Sequence, residues 1–333
     1  MKTMNKMRYM ARAALIFSLA LSITPLQAQD DPNVGKQAPE LEVAGWATSK
    51  KVSQADLNGR PYVLEFWATW CPPCRKSIPH LNELSQRLEP FGLRVLGLSD
   101  EPLKKVEPFA KKMGMIYYVG AGHEMSGLEY RGIPFAAAVG TDGEVVWSGH
   151  PMDPAYEEIV WNLTRGYTPK NLHSALDKAQ AGPLGPVYDE LDQIGSDRAQ
   201  AALDTIASNL QLRFKFAAPL EGLEKYKAMY DISALYKGVP GVEAAEDQMT
   251  RLLADPDIKK QVEQQKPMRE LQNRLEKVQS KAMALQDEKS PEAAQKFYRR
   301  ELVKALEEFV DKNPDHPQTP DMQRSLKQLK GEK

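Results

Sequence analysis

Cysteine is nearly missing from this chain of 333 residues: there are two, Cys71 and Cys74, in a single Cys-Pro-Pro-Cys run. A framework of several structural disulfides is thereby excluded. Two sulfurs this close cannot staple a large domain, because the loop they close is tiny. Histidine is also sparse. His80, His123, His150, His173 and His316 are scattered, with no two at ligand spacing. A tetrahedral zinc site wants four ligands, from two cysteine pairs or a pair plus two histidines, so no metal is expected. There is no excess of positive charge either, with Lys+Arg 44 against Asp+Glu 45. Phosphate binding needs clustered cations, so nucleic acid is not an expected partner. The glycine fingerprint of a nicotinamide or flavin site is absent, and no cofactor is expected. A close dithiol remains, and its spacing points to redox chemistry.

The beginning of the chain has a character of its own. Lys2, Lys6, Arg8 and Arg12 precede an apolar run from Ala13 to Leu21, and no acid occurs before Asp30. Pro25 and the small residue of Leu26-Gln27-Ala28 complete the layout of a secretory signal peptide over residues 1–28. The run is short of the roughly 20 residues a membrane span needs, although an uncleaved anchor is the alternative. Removing residues 1–28 takes away those four cations and no acid, which leaves a mildly acidic mature chain. No cysteine lies near the cleavage point, so a bacterial lipid anchor there is excluded. Export places the dithiol in a periplasmic compartment where disulfides form.

Residues 41 to about 165 alternate short apolar runs with helical stretches. Tyr62 to Trp67 is rich in β-branched and aromatic residues and reads as a buried strand. Pro72 to Leu88 reads as a helix with Ile78, Leu81, Leu84 and Leu88 on one face and a kink at Pro79. Leu93 to Leu98 is the next strand. Asp100-Glu101-Pro102 reads as the cap and first turn of a helix running to Lys112. Ile116 to Val119 is a short strand. Ala136–Val139 and Glu144–Trp147 flank Asp142-Gly143, a hairpin signal, and Pro154 to Leu163 reads as a closing helix. The expected architecture is an α/β fold with a central mixed sheet flanked by helices.

After residue 168 no convincing strand occurs. Gly182-Pro183-Leu184-Gly185-Pro186 reads as a linker or loop, and charged helical stretches follow, broken near Arg213–Pro219, Pro240, Pro256 and Pro314. Lys237-Gly238-Val239-Pro240 is echoed weakly by Lys312-Asn313-Pro314, which hints at TPR-like helical repeats without matching a repeat signature. Met268, Leu271, Leu275, Val278, Ala282 and Leu285 form a narrow apolar seam. It is expected to pack on a neighbouring helix over 291–312, through Phe297, Leu302, Leu306 and Phe309, rather than to serve assembly. The expected domains are 36–165 and an all-helical 168–333.

Disulfide exchange needs a thiolate. Cys71 follows a strand and opens a helix, so unpaired backbone N–H groups and the positive end of the helix dipole favour its anion. Cys74, one turn on and within bonding reach, is expected to be more buried and more basic. Cys71 would attack a substrate disulfide and Cys74 would resolve the mixed disulfide. Pro72 and Pro73 restrict the backbone between the sulfurs and tune the potential.

Phe66-Trp67-Ala68-Thr69-Trp70-Cys71-Pro72-Pro73-Cys74-Arg75 resembles the active-site run of the thioredoxin superfamily, in particular the exported, reducing TlpA and ResA type. The resemblance implies a thioredoxin-like fold over 36–165 and a thiol–disulfide reductase. It implies a cis proline at Ile133-Pro134, packed beside the cysteines and pairing with substrate backbone. It also implies that Glu65, six residues before Cys71, is a buried acid on the strand under the disulfide, able to take the proton of Cys74. Two features depart from the pattern. ResA-type proteins often carry a glutamate a few residues after the second cysteine, where this chain has Ser77 and no acid until Glu83. After the proline stands Phe135 in place of a small polar residue, and with Trp70 and Ile133 it suggests a groove for apolar peptide. Peroxiredoxins share the fold but need Pro-x-x-x-Thr/Ser-x-x-Cys, which this sequence lacks, so antioxidant peroxidase chemistry is not expected. The two-residue spacing argues against copper delivery.

The implied partners are a disulfide-containing exported protein as substrate and a membrane dithiol as electron donor, with cytochrome c maturation as the role the family implies most often. A disulfide oxidase or isomerase would use the same residues in reverse. In a third reading the helical half is an adaptor that binds a protein partner, with the redox domain as its regulated part.

Overall fold

A computed structural model describes residues 31–288 and 290–330. The leader read over residues 1–28 lies outside the described residues. The six strands β1 (Gly45–Trp46), β2 (Tyr62–Phe66), β3 (Arg94–Ser99), β4 (Tyr118–Ala121), β5 (Phe135–Val139) and β6 (Val145–Gly149) form one sheet in the order β1-β4-β3-β2-β5-β6. β2, β3 and β4 run parallel, while β5 and β6 return antiparallel and β1 pairs antiparallel with β4. All five residues of β2 are buried, as befits a central strand covered on both faces.

Alternation along β2 decides what each face receives. Tyr62, Leu64 and Phe66 join Leu96, Leu98 and Phe135 in one cluster, closed by Leu57 of the short helix α1 (Gln54–Leu57). Val63 and Trp67 point the other way, and Glu65 stands between them on that second face. It is covered by α2 (Pro72–Leu88), α3 (Leu103–Met113) and α4 (Pro154–Tyr167), through Ile78, Leu81, Val106, Ala110, Tyr156 and Val160. The α3 helix starts later than Asp100-Glu101 suggested. Its N-cap is Pro102, and Glu101 is turned inward and buried.

The expected boundary at residue 168 does not coincide with a boundary between compact units. The first unit ends at Arg251 and the second begins at Leu252. The physical reason is continuity of the core. Helices α5 (His173–Ala179), α6 (Gly185–Ile194), α7 (Asp197–Ala217), α8 (Gly222–Tyr236) and α9 (Glu243–Leu252) follow. Leu176, Leu184, Leu191, Ile206, Leu210 and Met229 join the same apolar cluster as Leu84 and Leu88 of α2. Polar ties reinforce it. The Tyr236 hydroxyl donates to Gln86 Oε1 at 3.0 Å, and Lys50 Nζ donates to Asn209 Oδ1 at 2.9 Å and pairs with Glu89. Asn209 Nδ2 and the Tyr118 hydroxyl donate to the Glu89 carboxylate at 3.2 and 3.1 Å. Burial lowers the pKa of Lys50, and the Glu89 charge opposes that shift. This cage removes two charges from water yet gives each a hydrogen-bonded partner.

The run Gly182–Pro186 is correspondingly the expected loop, leading from α5 into α6, but no free linker. Leu184 is fully buried, and the Leu184 and Gly185 N–H groups donate to the carbonyls of Leu235 and Lys237 at 2.7 and 3.1 Å. Gly185 opens α6 because nothing larger fits there: a Cβ would lie 2.3 Å from the Lys237 carbonyl oxygen. The break expected near Arg213–Pro219 is there, at the end of α7 after Ala217.

The second unit holds α10 (Pro256–Glu288), α11 (Pro291–Lys312) and α12 (Thr319–Lys330). Met268, Leu271 and Leu275 pack with Leu302, Leu306 and Phe309, and Met322 and Leu326 close the cluster. The apolar seam is thus internal packing. Arg274 forms a two-pronged bond to Glu308 at 2.7 and 3.2 Å beside it. Among the described residues no helix is long and apolar enough to cross a membrane.

Gly185→Ala tests the attachment of α6. It is expected to lower stability by about 1–3 kcal/mol, read as a lower urea midpoint, because backbone must move to admit the methyl group. An unchanged midpoint would show that this contact does not constrain the fold.

Candidate active site

Cys71 is the N-cap of α2, and it is joined to Cys74 by a disulfide with Cα atoms 5.4 Å apart. Both are buried, Cys71 at 2% exposure and Cys74 at 0%. The first turn of a helix has N–H groups without intrahelical partners. Here Pro72 and Pro73 remove two of them, and the next, that of Cys74, donates to Cys71 Sγ at 3.2 Å. That donor and the helix dipole both act on the sulfur of Cys71. The same sulfur lies 3.6 Å from the carbonyl oxygen of Ile133. The Ile133–Pro134 bond is cis, and Pro134 leads directly into β5.

The loop before Cys71 is clamped from two sides. Thr69 donates its N–H and its hydroxyl to the two carboxylate oxygens of Glu101, at 2.6 and 2.9 Å. The Arg75 guanidinium donates to the Thr69 carbonyl through Nε and Nη2, at 3.2 and 2.7 Å, and lies over the Phe109 ring at 5.5 Å. Sequence reasoning missed Glu101 by reading it as a helix-cap residue. The available signal was its place just beyond the carboxyl end of a parallel strand, where α/β sites collect.

Glu65 is wholly buried on the sheet face beneath α2. Its Oε1 lies 3.0 Å from the Ser77 hydroxyl, which is also 2.9 Å from the Cys74 carbonyl oxygen. Burial pushes the Glu65 carboxyl up to about 8, with the Ser77 hydroxyl pulling the other way. At neutral pH the group is therefore mostly protonated. One hydroxyl hydrogen serves two acceptors here. Protonated Glu65 donates to Ser77, which then donates to the Cys74 carbonyl, whereas ionised Glu65 takes the Ser77 hydrogen for itself. The helix position where the resemblance anticipates an acid is thus next to the acid the strand supplies.

The expected substrate groove is only partly as drawn. Trp70 is 66% exposed and Ile133 is half-buried. Phe135 is 7% exposed, because its side chain falls on the other sheet face and packs against Phe66 and Tyr130 with ring centroids 5.9 and 5.0 Å away. The exposed apolar surface expected from Phe135 is carried instead by Tyr130, which covers it. Among the described residues no group of three or more His, Cys, Asp or Glu side chains could hold a metal.

Known proteins resemble the first part of this chain in sequence. A family model described as the AhpC/TSA family matches residues 34–146. The thiol-disulfide oxidoreductase ResA of Bacillus anthracis is 31% identical over 150 residues, covering 43% of this chain and 86% of that protein. The thiol:disulfide interchange protein DsbE of Escherichia coli K12 is 32% identical over 128 residues, covering 35% of this chain and 65% of that protein. The crystal structure of a thioredoxin family thiol:disulfide interchange protein from Chlorobium tepidum is 26% identical with a TM-score of 0.34, covering 39% of this chain and 97% of that one.

The raised pKa of Glu65 makes a stability prediction. The folded state holds the proton that the unfolded chain releases near 4.5, so stability is full below that pH and falls as pH rises toward about 8. Glu65→Gln is expected to flatten this dependence and to raise stability at pH 7 by roughly 2–4 kcal/mol, read by urea denaturation across pH. Parallel curves for the two proteins would contradict it.

Proposed function

The chain belongs to the thioredoxin-like thiol–disulfide oxidoreductases, the family of ResA, and from that premise we propose that it reduces disulfides of exported proteins through a Cys71/Cys74 dithiol cycle. The observation that carries the reading is the asymmetry of the two sulfurs: Cys71 caps the helix and receives the Cys74 N–H, while Cys74 is sealed above a buried carboxyl. In the reduced protein the Cys71 thiolate attacks one sulfur of a substrate disulfide. That S–S bond breaks, a mixed disulfide forms on Cys71, and the first substrate thiolate takes a proton from solvent. Cys74 then gives its proton to Glu65 in the fraction of molecules whose carboxyl is ionised, a fraction that grows with pH, and attacks Cys71 Sγ. The second substrate sulfur leaves as a thiolate and is protonated in turn, so two electrons pass to substrate and the Cys71–Cys74 disulfide closes.

The Ile133 carbonyl beside Cys71 suits an extended substrate backbone, with Pro134 holding it and Trp70 and Ile133 offering apolar contact. Pro72 and Pro73 tune the potential by denying N–H groups to the sulfurs. A membrane dithiol supplies the electrons that reopen the disulfide. Residues 1–28 direct export to the periplasm, and the helices of the second unit offer a surface to a protein partner.

Two measurements test the reading. Cys74→Ala is expected to accumulate a mixed disulfide on Cys71 that captures substrate, whereas Cys71→Ala captures none; equal capture by both would contradict the assigned order of attack. A reduction potential near thioredoxin's, about −270 mV, fits a reductant, and one near about −120 mV would overturn that direction.

A further inference from the structure

Three buried polar atoms near the active-site strand have no hydrogen-bond partner among the described residues: Glu65 Oε2, the Tyr117 hydroxyl and the Tyr156 hydroxyl. Trp67 Nε1 is a fourth. They belong to one sheet face. The β2–β3 register sets Glu65 beside Gly97, and a Cβ on Gly97 would lie 2.9 Å from Tyr117 Cε2 and 3.0 Å from Trp67 Nε1. The phenol ring and the indole therefore lie over the bare strand position next to the carboxyl. Tyr156 enters the same cluster from α4, with its ring 5.2 Å from Trp147 and 6.2 Å from His80 of α2. Both tyrosines are fully buried.

Burying hydroxyls and a carboxyl oxygen without partners is costly, and a shared internal water is the usual way proteins meet that cost. We infer that Tyr117 and Tyr156 are positioning residues for Glu65, their hydroxyls and its second oxygen joined through buried water that donates to the carboxylate when it forms. The inference rests on the reading of Glu65 as the acceptor of the Cys74 proton. It explains how a carboxylate can exist at all in this place, where Ser77 alone donates to it directly. The groups that face Glu65 are few. α2 brings Ser77 and, once reduced, Cys74; β3 and β5 bring Gly97 and Ala136 at its register positions; Tyr117, Tyr156 and the uncharged Trp67 indole share its face, with His80 beyond Tyr156. Burial and the Glu65 charge hold both phenols well above the ordinary tyrosine range, so they remain donors and never compete as acids.

The step they influence can be isolated. Reduced protein mixed with dithiobis(nitrobenzoate) releases one thionitrobenzoate as Cys71 is modified and a second as Cys74 displaces it, and the second release is followed across pH. Tyr117→Phe or Tyr156→Phe is expected to move its midpoint up by about one pH unit, because losing a donor raises the carboxyl pKa. In a Glu65→Gln background the same substitutions are expected to move nothing, which a merely structural effect would not reproduce. Unshifted midpoints in both tyrosine variants, a downward shift, or a shift that persists in Glu65→Gln would overturn the inference. A profile that Glu65→Gln itself leaves unchanged would instead strike the acceptor reading, and the tyrosines with it.

Discussion

A carboxyl group sealed between a central strand and the first turns of a helix, with one hydroxyl as its direct partner, is the constraint to which the site answers. Glu65 cannot ionise cheaply at 0% exposure, so it keeps its proton to about pH 8. Its position follows from a period of two. Leu64 and Phe66 fill one face of β2, which leaves Glu65 with Val63 and Trp67 under α2. The helix is held down over it by Ile78, Leu81, Leu84 and Leu88, and Ser77 on its inner face reaches the carboxyl. The low dielectric around it strengthens the single direct hydrogen bond, from the Ser77 hydroxyl to Oε1.

The same helix divides labour between its sulfurs. Two prolines strip the first turn of donors, so the Cys74 N–H is aimed at Cys71. The loop that carries Cys71 is fixed by the Glu101 carboxylate on one side and the Arg75 guanidinium on the other, both bonded to Thr69. Precise placement of a nucleophile costs little at the moment of reaction when it is already locked by such contacts.

Much of this was legible in the sequence because it depends on local pattern. The strand before Cys71, the limits of α2 at Pro72 and Leu88, the hairpin at Asp142-Gly143 and the seam of Met268, Leu271 and Leu275 are statements about periodicity and turn chemistry. Glu65 was legible from its offset to Cys71. What escaped depends on contacts far apart in the chain. Glu101 lies 32 residues from Thr69, and Tyr236 lies 150 from Gln86, so neither pairing has a local signature. The Gly182–Pro186 run looked like a linker because glycine and proline punctuate loops. The same residues also permit the close approach of Gly185 to the Lys237–Gly238 backbone. Phe135 was assigned to the groove by its neighbour Pro134, but strand alternation sends it to the opposite face. The end of the first unit at Arg251, well past the last strand, follows from an apolar core that spans α2 and the helices after it.

The account turns on the proton held by Glu65 beneath Cys74, and an isotope-edited infrared titration of that single carboxyl in the disulfide protein reads it directly. The protonated carbonyl band is expected to persist through neutral pH and to vanish around pH 8. Loss of the band between pH 4 and 5, the ordinary range of a solvated glutamate at about 4.3, would contradict it.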